Sequence, residues 1–193
     1  MIKPTQKDQI TLAVALGANV PSPFGPPTST LIAVRPQLEK VICDWLYTSL
    51  GEKIDEEKSS TDLRWRWSPL FETDPMGGPI GQSPYINAVV VVDGTKVSSL
   101  KPTQKSALNL LERFLEIETY FGRDRKNCTI RWGPRPLDLD LLAWGTLQVK
   151  HELLTLPHPR LTARSFVVVP LGEALNQGET KPSRLPPQLD WPE

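Results

Sequence analysis

The segment Leu137-Asp-Leu-Asp-Leu-Leu-Ala-Trp144 constrains the fold more than any other stretch of the chain. As a strand it puts Leu137, Leu139 and Leu141 on one side and Leu142 and Trp144 on the other, because successive side chains alternate between faces. A strand that is apolar on both faces belongs to a sheet with helices packed on both sides. The expectation is a three-layer sandwich, with sheet order and strand directions left open.

The rest of the chain supplies suitable elements. Ile10–Leu16 reads as a strand, with Ile10, Leu12, Val14 and Leu16 on one face, small residues on the other, and Gly17 as its end. A helix is expected over about 28–46, behind Pro26 and Pro27, with a kink or break at Pro36. Trp65–Thr73, Ile86–Asp93 and Phe166–Leu171 are further strand candidates. Leu100–Phe121 is the clearest helix, with Ser98 or Ser99 near its start and Gly122 where a terminating glycine belongs. Residues 49–61 read as a polar surface insertion. One domain is expected over 8–174, followed by an irregular proline-rich tail over 175–193.

Asp138 and Asp140 stand at i and i+2 on the Leu137–Trp144 strand, so their carboxylates share a face, together with Leu142 and Trp144. Two like charges so close need a cation between them. Magnesium suits, since it takes few carboxylates and is often completed by water and phosphate. From spacing alone, a pair bridged to Arg131 or Arg135 fits equally well. Arg123, Arg125, Lys126, Arg131 and Arg135 crowd the segment just upstream, which Gly133 and Pro134 mark as a loop. Guanidinium groups beside a two-carboxylate site meet the needs of phosphoryl chemistry. A solvated basic face is the plainer alternative.

Glu118 falls on the inward face of its helix, in line with Leu111, Phe114, Leu115 and Phe121, where a carboxylate requires partners. Arg123 and Arg125 follow within two turns. His158 sits between prolines in Leu-Pro-His-Pro-Arg160, with Arg164 and Phe166 beyond, and reads as a structural hydrogen-bonder or a phosphate contact. The loop over 74–84 holds three glycines and three prolines, and suits a mobile lid as well as a passive connection. Tyr85 and Asn87, again i and i+2, match a flat heterocycle stacked by a ring and read by an amide; core packing is the bland reading of Tyr85. Neither GxxxxGK[ST] nor GxGxxG occurs, so phosphates would be held by side chains and metal.

Charge narrows the function classes. Lys and Arg total 22 and Asp and Glu total 22, which argues against a general nucleic-acid or membrane-surface binder. Two cysteines without metal-ligand spacing favour a reducing compartment. No segment approaches the length of a membrane span, and the N-terminus lacks the pattern of a signal peptide, so a cytoplasmic location is expected. Two competing readings are a magnesium-dependent kinase that moves one phosphoryl group, and a single-stranded nucleic-acid binder that stacks bases on Trp132.

Taken together, these segments resemble the 6-hydroxymethyl-7,8-dihydropterin pyrophosphokinase family. The matching pieces are Leu-Gly-Ala-Asn19, Glu-Thr-Asp-Pro-Met-Gly77, Tyr-Ile-Asn87, Glu118 through Arg123, Arg131 through Asp140, and Leu-Pro-His-Pro-Arg160 with Arg164 and Phe166. They occur in the family's order. The resemblance implies a ferredoxin-like α+β fold, an α-β-α sandwich around a mostly antiparallel sheet. It also implies transfer of the β,γ-pyrophosphate of ATP to the pterin hydroxymethyl group, with release of AMP, in folate biosynthesis. By the same resemblance Asp138 and Asp140 hold two Mg2+ ions, and Arg123 and Arg135 are catalytic-loop arginines. Glu118, Arg125, Arg131, Trp132, His158 and Arg164 serve ATP. Thr73, Pro75, Met76, Tyr85, Asn87 and Phe166 bind 6-hydroxymethyl-7,8-dihydropterin, with Phe166 on its ring. ATP and the pterin are the implied partners, with no nucleic acid and no membrane, and any second enzyme of the pathway is expected as a separate chain. Ala18 stands where the family usually has serine, and Leu115 where glutamine is common.

Overall fold

The computed structural model describes residues 10–53, 62–125, 130 and 132–176. The polar segment 54–61, Arg131 and the tail from 177 lie outside them, so the readings placed there have no structural counterpart.

Five strands form the main sheet: β1 (Leu12–Ala18), β2 (Arg64–Trp67), β3 (Phe71–Thr73), β4 (Tyr85–Asp93) and β5 (Asp138–Trp144). The order is β2-β4-β1-β5, with β3 also paired to β4, and all these pairings are antiparallel. A short hairpin of β6 (Val149–Lys150) and β7 (Thr155–Leu156) follows. Helices α1 (Pro27–Leu50) and α3 (Gln104–Tyr120) pack on one face, α2 (Thr95–Ser99) connects β4 to α3, and α4 (Ser165–Leu175) covers the other face. The layers are those of an α-β-α sandwich, an α+β arrangement with a ferredoxin-like sheet.

The larger core layer unites Leu12, Val14 and Leu16 of β1 with Leu31, Leu38 and Trp45 of α1 and Leu110 and Phe114 of α3. Trp45 and Trp144 meet edge-on at 5.0 Å, and the Trp45 indole N–H donates to the Ser106 carbonyl at 3.1 Å. The thinner layer beneath α4 holds Ala13, Val89, Val91, Leu142, Val167 and Ala174. The single helix on that face packs mainly against β4.

Several expectations need correction. Residues 166–171 form part of a helix, not a strand. A continuous apolar run carries no period of its own, and the burial of Val167, Pro170 and Ala174 marks a helical face. The expected strand over 65–73 is two strands, because Ser68-Pro-Leu70 interrupts the ladder between β2 and β3. Here Ser68 accepts the Val89 N–H on its hydroxyl at 2.9 Å, while Pro69 has no N–H to give.

Helix α1 runs through Pro36 without a break and reaches Leu50. Pro36 lies on its exposed side, where water can satisfy the carbonyl freed by the missing N–H. The helix ends at Gly51, in the left-handed region. The start of α3 is Thr103, whose hydroxyl accepts the Ser106 N–H at 3.2 Å, rather than Ser98 or Ser99, which belong to α2. Its stop at Gly122 (φ +90°) is as expected.

Two corrections bear directly on the site. Trp144 does not share the face of Asp138 and Asp140. The register between β1 and β5 shifts so that Ala13 pairs with Ala143 and Val14 with Leu141, leaving Leu142 as a bulge. The extra residue reverses the alternation, so Trp144 enters the larger core with Leu139 and Leu141. The other is Gly17, which does not end β1. It is paired on both sides, with Asn87 and with Asp138.

Candidate active site

At the Gly17 level of the sheet, Asn87, Gly17 and Asp138 stand in one row across three strands, and Val89, Ala15 and Asp140 form the next. An amide and two carboxylates thus share one surface, separated by glycine and alanine. A Cβ at Gly17 would sit 2.9 Å from Asn87 Oδ1, so glycine keeps this floor low. The cleft above it encloses about 670 Å3 including its open mouth, and is lined by Thr73, Met76, Tyr85, Asn87, Trp132, Arg135, Asp138, Asp140, Arg164 and Phe166, among others. A drug-sized ligand needs a volume of this order.

Apart from the Asp74 carboxylate at its rim, the β3–β4 end of the cleft is uncharged, and it is internally bonded. Asn87 Nδ2 donates to Thr73 Oγ1 at 2.7 Å, and the Tyr85 hydroxyl donates to the Gly133 carbonyl at 3.2 Å. Burial pushes the Tyr85 phenol up, keeping it a neutral donor. Phe166, on the first turn of α4, faces the same space, with the Arg164 guanidinium 5.2 Å from its ring. The loop over 74–84 is drawn against Trp132: Gln82 Nε2 donates to the Gly77 carbonyl at 3.2 Å and to the Trp132 carbonyl at 3.1 Å. Gly77 and Gly78 both have positive φ, and Cβ atoms there would meet the Trp132 ring and carbonyl. Glycine is required at this approach. The Arg160 guanidinium lies over the Trp132 ring, 4.7 Å from its centroid.

The other end is a charge network. Glu118 is fully buried. Its Oε1 accepts from Arg123 Nη1 at 2.7 Å and from the Leu139 N–H at 2.8 Å, and its Oε2 accepts from Arg125 Nε at 2.9 Å. Burial pushes its carboxyl up, while Arg123 and the Leu139 N–H pull it down. Arg123 also pairs with Asp138 Oδ1 and donates to the Leu137 carbonyl at 3.2 Å. Arg135 Nη1 takes the remaining oxygen, Oδ2, at 2.9 Å. Burial works against ionised Asp138, but the Arg123 and Arg135 guanidiniums outweigh it and hold its carboxyl below the usual range.

Asp140, two residues on, is different. Among the described residues none is hydrogen-bonded or ion-paired to its carboxylate. Burial and the neighbouring Asp138 charge push it up to about 7. A desolvated carboxylate beside another one, with no ion pair among the described residues and only the longer-range pull of Arg164 and Arg123, fits a metal ion supplied from outside. No cluster of three or more His, Cys, Asp or Glu occurs among the described residues. An ion there would have these two carboxylates and would take its other ligands from water or a phosphate.

Arg125 and Arg123 line a second hollow with Gly133, Pro134 and Pro136, and Arg135 forms the wall between the two spaces. His158 lines neither. Its backbone N–H donates to the Leu142 carbonyl at the bulge, at 2.8 Å, and its ring Nδ1 accepts the Arg160 backbone N–H at 3.3 Å. Burial, with Arg164 and Arg160 nearby, holds its pKa down, leaving a neutral ring with a proton on Nε2. Pro75 is not among the cleft-lining residues, and Arg131 lies outside the described ones.

Gly17, Asn19 and Arg160 also belong to this region, although the sequence marked none of them as a site residue. The signals for them were the small-residue face of β1 for Gly17 and the family-like segments Leu-Gly-Ala-Asn19 and Leu-Pro-His-Pro-Arg160, to whose Gly17, Asn19 and Arg160 no role was attached. Helix α3 turns inward with Leu110, Phe114, Ile117, Glu118 and Phe121, while Leu111 and Leu115 sit at its margin.

The sequence profile of the 7,8-dihydro-6-hydroxymethylpterin-pyrophosphokinase family matches residues 13–176. A Bacillus subtilis protein named 2-amino-4-hydroxy-6-hydroxymethyldihydropteridine pyrophosphokinase is 38% identical over 58% of this chain and 59% of its own length. A Synechocystis protein of the same name is 42% identical over 56% of this chain and 48% of its own. A mitochondrial folate synthesis bifunctional protein of Arabidopsis thaliana is 32% identical over 86% of this chain and 31% of its own. The match thus spans about half to three fifths of the first two relatives. The chain belongs to the 7,8-dihydro-6-hydroxymethylpterin-pyrophosphokinase family.

Proposed function

We propose that this family member transfers the β,γ-pyrophosphate of ATP to the hydroxymethyl oxygen of 6-hydroxymethyl-7,8-dihydropterin, a step of folate biosynthesis. The observation that carries the reading is the single cleft floor, on which an uncharged amide-and-aromatic end lies one glycine away from two carboxylates and their arginines. A flat, hydrogen-bonding heterocycle fits the first end, and a polyphosphate with its counter-ions fits the second.

In this reading Asn87 and the backbone of Thr73–Met76 read the pterin edge, Tyr85 lines the pocket, and Phe166 stacks on the ring. Asp138 and Asp140 hold magnesium, which supplies charge neutralisation at the phosphates when bound. The hydroxymethyl oxygen forms a bond to the β-phosphorus, the bond from that phosphorus to the α,β-bridging oxygen breaks, and AMP leaves with that oxygen. The hydroxyl proton passes to solvent. Arg123 and Arg135 leave Asp138 to neutralise the transferring group, and Arg125, Arg131, Arg164 and the Nε2–H of His158 hold the triphosphate. Glu118 anchors Arg123 and Arg125, and Trp132 closes over the site. No covalent intermediate is needed, since positioning and charge neutralisation carry the reaction.

Few cysteines and balanced charge support a cytoplasmic setting without nucleic-acid or membrane partners, and no helix among the described residues is long and apolar enough to cross a membrane. The test is a product assay with ATP, magnesium and the pterin. Pterin-dependent AMP, lost on Asp138→Ala or Asp140→Ala by a factor on the order of a thousand, supports the reading. ADP would reassign the site to single phosphoryl transfer, and no product from folded protein would refute catalysis of either kind.

A further inference from the structure

At the carboxyl end of β1 the Asn19 side chain is 2% exposed, and both ends of its amide are engaged. Its Oδ1 accepts the Arg135 N–H at 2.8 Å, while its own backbone N–H donates to the Arg135 carbonyl at 3.1 Å. Its Nδ2 donates to the Ser83 carbonyl at 3.2 Å and, more weakly, to Gln82 Oε1 at 3.4 Å. The orientation of the amide is fixed by chemistry, because reversing it would set an NH2 group against the Arg135 N–H and a carbonyl against the Ser83 carbonyl.

Ser83 belongs to the glycine-rich loop over 74–84, and Arg135 to the loop that carries the arginines onto β5. The first loop meets the uncharged end of the cleft, and the second supplies a guanidinium to Asp138. We propose that Asn19 is a positioning residue that sets these two loops in register. Closure of the glycine-rich loop over the pterin then fixes the backbone from which Arg135 reaches the transferring phosphates. This rests on the pterin pyrophosphokinase reading given above. An amide is the group the task requires: neutral, rigid, and able to accept from one loop while donating to the other. Serine is too short to span both, and aspartate cannot donate.

The experiment compares Asn19→Asp with wild type by amide hydrogen exchange and steady-state kinetics. The carboxylate still accepts from Arg135 but repels the Ser83 carbonyl. Exchange over 74–84 should rise about tenfold, as for loss of one buried hydrogen bond whose partner is left unpaired. Exchange at Arg135 and in β1 and β4 should hold. The KM for pterin should rise by a similar factor and kcat should fall, while the KM for ATP stays as in wild type. Exchange raised throughout the sheet, or both KM values shifted equally, would make Asn19 merely structural and overturn the proposal. So would a variant indistinguishable from wild type.

Should Asn19→Asp not fold, Asn19→Ala removes all three side-chain bonds without adding charge. Protection lost at 74–84 and at Arg135 together, with β1 and β4 intact, supports the coupling, and unchanged loops refute it. If wild-type protein releases no AMP, the pterin reading fails on its own, and the exchange data still decide whether Asn19 joins the loops.

Discussion

The two ends of the cleft are built on opposite principles. The uncharged end is already bonded as a heterocycle needs it: Asn87 is braced by Thr73, Tyr85 by Gly133, and Gly17 leaves the space open. The charged end is neutralised against itself, with Arg123 and Arg135 occupying both oxygens of Asp138. A polar group pays little to wait for its ligand in a fixed pose when it can bond to neutral neighbours, whereas charges in a poorly solvated cleft collapse on each other unless something else pairs them. In the proposed reaction one end would therefore receive its ligand as it stands, and the other would exchange protein ion pairs for phosphate and metal.

The largest effect that sharpens this contrast lies in the charged half. Glu118→Ala leaves Arg123 with Asp138 and the Leu137 carbonyl, takes the carboxylate from Arg125 and removes the acceptor of the Leu139 N–H, so chemical denaturation should show a loss of about 3–5 kcal/mol, as for a broken buried pair. The uncharged half should respond in binding instead. Asn87→Ala strands Thr73 and removes the edge reader, which should weaken pterin affinity by about 10- to 100-fold, with ATP-analogue affinity and melting temperature little changed. Equal losses for both ligands would erase the distinction between the two ends.

The pH dependence is smaller and has a definite sign. The Asp140 carboxyl is raised in the folded protein to about 7, above the ~3.9 of an unfolded chain. The folded state therefore holds an extra proton between those values, and metal-free stability falls as pH climbs through that window. Asp140→Asn should stabilise metal-free protein by about 2 kcal/mol near pH 8, and the gain should shrink on acidification. Manganese affinity of the wild type, followed by paramagnetic resonance, should weaken as pH drops below about 7, because the proton competes with the ion. A gain from Asp140→Asn that grows on acidification would reverse the assignment. The smallest effect belongs to the loop between the two ends: Arg160→Ala removes the cation over Trp132, worth about 0.5–1 kcal/mol at an exposed ring, read as a shift in tryptophan emission and exchange over 74–84.

Much of this was legible in local sequence. The i, i+2 spacing put Asp138 and Asp140 on one face of their strand and, likewise, Tyr85 and Asn87 on one face of theirs, and the helical phase of Glu118 turned it inward toward Arg123 and Arg125. Those relations depend only on backbone period, which neighbouring residues set. Residues 166–171 were misread because a run of valines has no period to betray its helix.

The sequence by itself determined the layers, the paired carboxylates and the arginine-rich approach to them, since pattern and composition fix which faces must be covered and which charges lie close along the chain. Tertiary structure alone decided the bulge that sends Trp144 to the opposite face, the row that sets Asn87 beside Gly17 and Asp138, and the amide of Asn19 that holds Ser83 and Arg135 together. Each depends on the register between strands and loops distant in the chain. Register is set by how whole faces pack and bond across the sheet, not by the period of any one segment.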